Sequence, residues 1–240
     1  MTNSKRAREL ARQQAELAAR QRERRIFLLV SIAVVVAIIG GGIGFQAWRT
    51  HRAPVVASTP GTTAAPVQVT AGRPLRLGAD GAPVTITLYE DFHCPHCASF
   101  EEEFGPTITA AQDKGTAAIE LYPMAFIDDG SYAAANAMAC AAEAGFGRAY
   151  YLGLFANHTL AWNDDQLIAL AGKVTADPGA AFRTCVARKA HKDWVDSINA
   201  AADADKVAKT PTMLVDSQPV DIATLTLEAL QSMIDKAATS

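Results

Sequence analysis

The sequence predicts an α/β fold with a helical insertion, preceded by a single apolar helix. Three observations carry that expectation. The stretch Ile26 to Trp48, IFLLVSIAVVVAIIGGGIGFQAW, holds no charged residue. Residues 84–90, VTITLYE, and 117–123, AAIELYP, read as strands on either side of a helical segment, and residues 212–221, TMLVDSQPVD, give two short strands around a turn. Between the second and third strands lies a long Ala-rich block without strand character, about residues 130–207, read as a helical insertion.

Taken in order, residues 1–25 form a basic segment with eight Lys/Arg against three Glu, rich in helix formers and read as a solvated juxtamembrane helix. The apolar run at 26–48 has the length to cross a hydrocarbon core of about 30 Å, with Trp48 placed as an interfacial anchor. Arg20, Arg22, Arg24 and Arg25 outweigh Arg49 and Arg52, so the positive-inside rule puts the N-terminus in the cytoplasm and everything after the anchor outside. Residues 49–74 are mostly Ala, Pro, Thr, Val and Gly and read as an extended linker. The net charge of −3, less the +7 carried by residues 1–52, leaves the remainder at −10, a poor partner for nucleic acid or anionic headgroups.

Residues 75–240 form the globular domain. Its first strand, at 84–90, runs straight into the stretch D-F-H-C-P-H-C-A-S-F, and the helix that follows carries acids in its early turns. The second strand is expected to stop at Pro123. A last helix follows the strand pair, capped by a Thr near 224–226.

All four cysteines fall outside by this topology, where disulfides persist. Three pairings are open in principle. Cys94 and Cys97 would form a small, exchange-ready ring, whereas Cys140 and Cys185 would close a long loop and pin two helices of the insertion. With Cys94 as the helix cap, Pro95 falls at the first helical position, where a missing N–H costs nothing. The N–H groups of His96 and Cys97 then point back at the Cys94 sulfur and stabilise its thiolate, aided by a protonated His96. Cys97, one turn in, is the less exposed partner and the resolving thiol. His93 flanks the nucleophile and is expected to tune it. The same letters offer four metal ligands in five residues, but ligands packed on one turn cannot all converge on one ion, so no metal site is assigned.

Thr210-Pro211-Thr212 precedes the third strand, and the strand order places it beside the dithiol. A cis Pro211 would expose backbone groups to an extended substrate segment, which makes Thr210 and Pro211 the candidate substrate-binding residues.

In YEDFHCPHCASFEEE, T-P-T at 210–212 and the helical block between the second and third strands, the chain from about residue 75 to 240 resembles the DsbA-like thiol oxidoreductases of the thioredoxin fold, in the membrane-anchored layout of actinobacterial members. The resemblance implies a cofactor-free disulfide donor for unfolded or reduced secreted proteins, reoxidised by a membrane quinone-linked partner of the DsbB or vitamin K epoxide reductase type. Thr210 before the proline also occurs in isomerase-like relatives, so a reductase or isomerase is the alternative, with a copper-handling protein behind it. Among other residues, Glu90 and Asp91 are read as solvated acids at a strand end, with a buried proton acceptor for Cys97 as the alternative. His158 and Trp162 read as packing or surface features, and Tyr132, Tyr150 and Tyr151 as core or groove.

Overall fold

The computed structural model describes residues 2–55 and 66–239, in two units, Met1–Arg49 and Thr50–Ser240. Helix α1 (Thr2–His51) carries the first. Among the described residues, its stretch Phe27–His51 is the one long and apolar enough to cross a membrane. Large apolar side chains from Phe27 to Trp48 are exposed along it, which suits a lipid-facing helix and not a core helix of a soluble domain.

In the second unit a five-stranded sheet has the order β1-β3-β2-β4-β5, built from β1 (Leu75–Gly78), β2 (Val84–Asp91), β3 (Ala117–Met124), β4 (Thr212–Val215) and β5 (Gln218–Val220). β2 is central because both its faces are covered: Val84, Ile86 and Leu88 have no exposed surface, and Tyr89, Glu90 and Asp91 are buried as well. It pairs in parallel with β3, from Val84 opposite Ala117 to Asp91 opposite Met124, and antiparallel with β4, Tyr89 opposite Thr212. A parallel pair needs a crossover, supplied by α2 (Pro95–Asp113), whose Phe100, Phe104 and Ile108 enter the core. The helical insertion comprises α3 (Asp129–Glu143), α4 (Gly147–Ala156), α5 (Asp164–Val174), α6 (Gly179–Arg188) and α7 (Lys192–Ala204). The closing helix α8 (Leu227–Ala237) is capped by Thr226, whose side chain accepts from Ala229 N.

Three details depart from the sequence reading. Strand β1 was not foreseen, because four residues with an Arg among them carry too little period-two signal; it pairs antiparallel with β3, Leu75 opposite Leu121. β3 does not stop at Pro123 but runs to Met124. There it has passed the end of β1 and has only β2 as a neighbour, so a missing N–H is tolerated. The third departure concerns the linker at 49–74, both ends of which are tied down. Asn163 Nδ2 donates to Thr50 O, Gln166 Nε2 to Arg52 O, and the Asn157 amide binds both Val55 N and Val55 O. On the far side Val67 N donates to Ala142 O and Gly72 N to Ser197 Oγ. Composition shows that such a segment lacks a core of its own, but not that distant amide side chains will bind its backbone. Residues 56–65 of the linker lie outside the described residues.

Candidate active site

β2 delivers its last residues to the start of α2 through a tight turn in which Cys94 N donates to Asp91 O at 2.9 Å. Cys94 is the N-cap of α2, in extended conformation, with Pro95 as the first helical residue. Ala98 N closes the first turn onto Cys94 O. Both thiols are free; Cys94 keeps a small exposed surface and Cys97 none.

Placement at a helix N-terminus separates the two thiols electrostatically. Cys94 is lowered to about 5, first by the hydrogen bond from the Cys97 thiol, then by the Thr210 hydroxyl and the N–H groups of Cys97 and His96, against the opposing effect of burial. Cys97 is pushed up because it donates to Cys94, because it is buried, and because it faces the charge of Glu90. The His96 contribution comes through its backbone; the side chain is exposed.

Opposite the Cys94 sulfur is the loop before β4. The Thr210–Pro211 peptide bond is cis, and Thr210 O lies 3.7 Å from Cys94 Sγ, where it accepts the S–H of the protonated thiol. Cys94 and the Thr210–Pro211 bond therefore meet at one rim with Cys97 buried beneath, although 116 residues separate Cys94 from Thr210.

Behind that rim the two acids at the end of β2 have different surroundings. Asp91 is a clamp: Oδ1 accepts from His93 N and Ser131 Oγ, and Oδ2 from Phe126 N and Ile127 N. It fastens the β3–α3 loop to the dithiol turn, and its oxygens are used up in doing so. The His93 ring is buried, with Nδ1 2.5 Å from Oδ1 of Asp128, the cap of α3. Gly130 makes room for it, since a Cβ there would stand 2.3 Å from His93 Cε1 and 2.4 Å from Ala161 O. Glu90 instead turns into the core, where Tyr151 Oη donates to Oε2 at 2.5 Å.

Glu101 of α2 joins Glu90 there, and the sequence reading missed it. The acids of α2 are expected as complements to the helix dipole, but the first turn of α2 holds no acidic residue, and Glu102 and Glu103 further along are exposed. Glu101 is one turn after Cys97 on the face that also carries Phe104 and Ile108, and it is buried with them. That spacing was the available signal. Burial raises both carboxyls, Glu101 to about 7 and Glu90 well above the usual carboxylate range.

Away from the rim, Cys140 of α3 and Cys185 of α6 are joined in a disulfide with their Cα atoms 6.0 Å apart. Trp162 is buried in the core and His158 lines a surface cavity. Tyr150 and Tyr151 are buried, while Tyr132 bonds Lys192 O and Asp196 at the surface.

Residues 70–236 match the family model described as thioredoxin. The chain belongs to the thioredoxin family. No curated protein matches it, but solved structures of thiol-disulfide oxidoreductases do. The reduced form of the disulfide bond oxidoreductase DsbG from Mycobacterium tuberculosis is 23% identical, with a TM-score of 0.59, covering 72% of this chain and 95% of that one. BdbD from Bacillus subtilis is 21% identical, with a TM-score of 0.60, covering 74% and 98%. MdbA from Actinomyces oris, a thiol-disulfide oxidoreductase, is 21% identical, with a TM-score of 0.56, covering 70% and 93%. At these identities the likeness speaks for the fold. Within this thioredoxin-family chain, α3–α7 form the helical insertion between β3 and β4.

Proposed function

We propose that this protein is an extracytoplasmic thiol:disulfide oxidoreductase, anchored by residues 26–48 with its N-terminus in the cytoplasm, that donates disulfides to secreted or cell-envelope proteins through Cys94 and Cys97. The observation that carries this reading is the placement of the two thiols: Cys94 caps α2 with a small exposed surface beside Thr210, and Cys97 is sealed beneath it, which lowers Cys94 to about 5 and raises Cys97. A thiolate that stable is a good leaving group, so the reduced enzyme is favoured and the oxidised enzyme gives its disulfide away.

A client thiolate attacks Cys94 Sγ of the oxidised pair, the Cys94–Cys97 bond breaks, and Cys97 leaves with the electron pair. Buried and held up in pKa, Cys97 must then take a proton, and Glu90 is the acid placed to give it. A second client thiolate attacks the client sulfur of the mixed disulfide and expels Cys94 as the stable thiolate. The client gains one disulfide and the enzyme is left as the dithiol. An extended client segment would lie along the Thr210–Pro211 edge, where the proline presents no N–H of its own. Return to the disulfide form falls to a membrane quinone-linked partner of the DsbB or vitamin K epoxide reductase type.

The cellular test uses a reporter with a single cysteine pair, made in secreted and cytoplasmic forms, in cells with and without this chain. The secreted reporter should acquire its disulfide faster when the chain is present, and the cytoplasmic one should not respond. Acceleration of the cytoplasmic form alone would reverse the orientation, and faster loss of the secreted reporter's disulfide would favour the reductase.

A further inference from the structure

Two carboxyl groups are sealed together behind the dithiol, and a structural role does not account for them. Glu90 on β2 is fully buried and Glu101 on α2 nearly so, and Oε1 of each has no hydrogen-bond partner. An acid buried only for architecture is normally paired with a cation or saturated with donors, as Asp91 is. The groups acting on Glu90 and Glu101 are instead burial, each other, the Tyr151 hydroxyl, and, at Glu90, the Cys94 sulfur.

Tyr151 of α4 stands between the two. Its hydroxyl donates to Glu90 Oε2 and also feels the Glu101 carboxyl electrostatically. A hydroxyl donates and accepts at once, so it can take a proton from one carboxylic acid while handing its own to the other carboxylate. On the inner side the chain of groups ends at Cys97, which faces the Glu90 charge and accepts from the N–H of Asp91, the next residue.

On the outer side it ends at a cavity of about 830 Å³ between α2 and α4, lined in part by Pro95, Ala98, Glu101, Gly105 and Phe155. Gly105 keeps the approach open, since a Cβ there would come within 2.9 Å of Glu101 Oε2. Glu102, Asp113 and His158 also line this cavity, so other titratable side chains stand along it.

We propose that Glu90, Tyr151 and Glu101 form a proton relay that serves Cys97 and exchanges with solvent through the cavity between α2 and α4. The inference rests on the dithiol reading above and adds the route by which protons reach the buried thiol. When the enzyme disulfide closes, Glu90 passes its proton through Tyr151 to the Glu101 carboxylate and takes the proton of the Cys97 thiol. The Cys97 sulfur forms its bond to Cys94 Sγ, the mixed disulfide breaks, and the departing thiolate leaves with the electron pair. Glu101 releases the surplus proton to the cavity. Opening of the disulfide runs the same route inward. Glu101 and Tyr151 act through Glu90 and are positioning residues for this transfer.

The test mixes the reduced full-length chain, in detergent, with one equivalent of an aromatic disulfide that releases a coloured thiolate at each step. The first burst reports attack by Cys94, and the second reports closure by Cys97. Glu101→Gln and Tyr151→Phe should keep the first burst and slow the second by roughly tenfold or more. In the wild type the second burst should quicken as pH rises through about 7, where Glu101 loses its proton. Glu101→Gln should abolish that inflection, and added formate should restore the rate of Glu101→Ala through the cavity. Unchanged second bursts and pH profiles in both variants would overturn the relay, and so would equal slowing of both bursts, which marks a structural defect. A slow second burst in Glu90→Gln alone would overturn the relay while keeping Glu90 as the proton partner. Absence of any second burst in the wild type would instead remove the dithiol reading beneath it.

Discussion

Cys97→Ser in the full-length chain should accumulate mixed disulfides between Cys94 and client proteins, whereas Cys94→Ser should trap none and lose turnover by about 10³-fold or more. The asymmetry follows from the helix start. Cys94 receives the thiolate-stabilising donors and keeps some exposed surface, while Cys97 is sealed beneath it with its proton held tightly. With Cys97 gone, nothing inside the protein can expel a client from Cys94. With Cys94 gone, the remaining thiol is protonated and out of reach. Non-reducing gels and mass mapping of the bridged peptides check this directly. Trapping through Cys97 in the Cys94→Ser protein would mean that the order of attack is reversed.

The second large effect concerns the distant disulfide. Cys140 and Cys185 link α3 to α6 across a sequence separation of 45, and chain-entropy reasoning for a loop of that length gives at most about 4 kcal/mol of stabilisation. Replacing both by Ser should lower Tm by roughly 8–16 °C for a domain of this size. The dithiol chemistry should persist below the new Tm, because none of the residues around Cys94 belongs to α6. Calorimetry of the variant, together with mapping under mild reductant, tests it. A Cys140–Cys185 bond that opens before Cys94–Cys97 would assign that pair to exchange and not to architecture.

What the sequence reveals of the fold and the site depends on how local each feature is. The cap geometry of Cys94, Pro95 and Cys97 lies within four consecutive residues, and the central strand announces itself through Val84, Ile86 and Leu88. β1 is hidden because an edge strand of four residues takes its identity from its neighbour β3. Pro123 misleads for the opposite reason, since its usual meaning as a strand stop is cancelled by a missing neighbour. At the site, Thr210–Pro211 could be placed beside Cys94 only through the order of the strands. Glu90 could be weighed as a proton acceptor, but whether it or Asp91 faces the core is decided by Tyr151 and by the loop at Phe126 and Ile127, 61 and 35 or 36 residues away. Glu101 lay on a readable helix face, yet its partnership with Glu90 exists only once β2, α2 and α4 have packed.

The reduction potential of the Cys94–Cys97 couple, measured against pH, tests the central claim most directly. Because the folded pKa of Cys94 lies below that of an ordinary thiol, the reduced protein gains stability that is fully present above about 9 and is lost as pH falls through about 5. Within that window reduction takes up one proton for two electrons, so the potential should fall by about 30 mV per pH unit, against about 59 mV for two ordinary thiols. At neutral pH the account predicts a potential in the oxidising half of the roughly −270 to −120 mV range of the thioredoxin-type proteins, with the shallower slope between pH 6 and 8. A potential near −270 mV with the steeper slope would contradict it and make the protein a reductase.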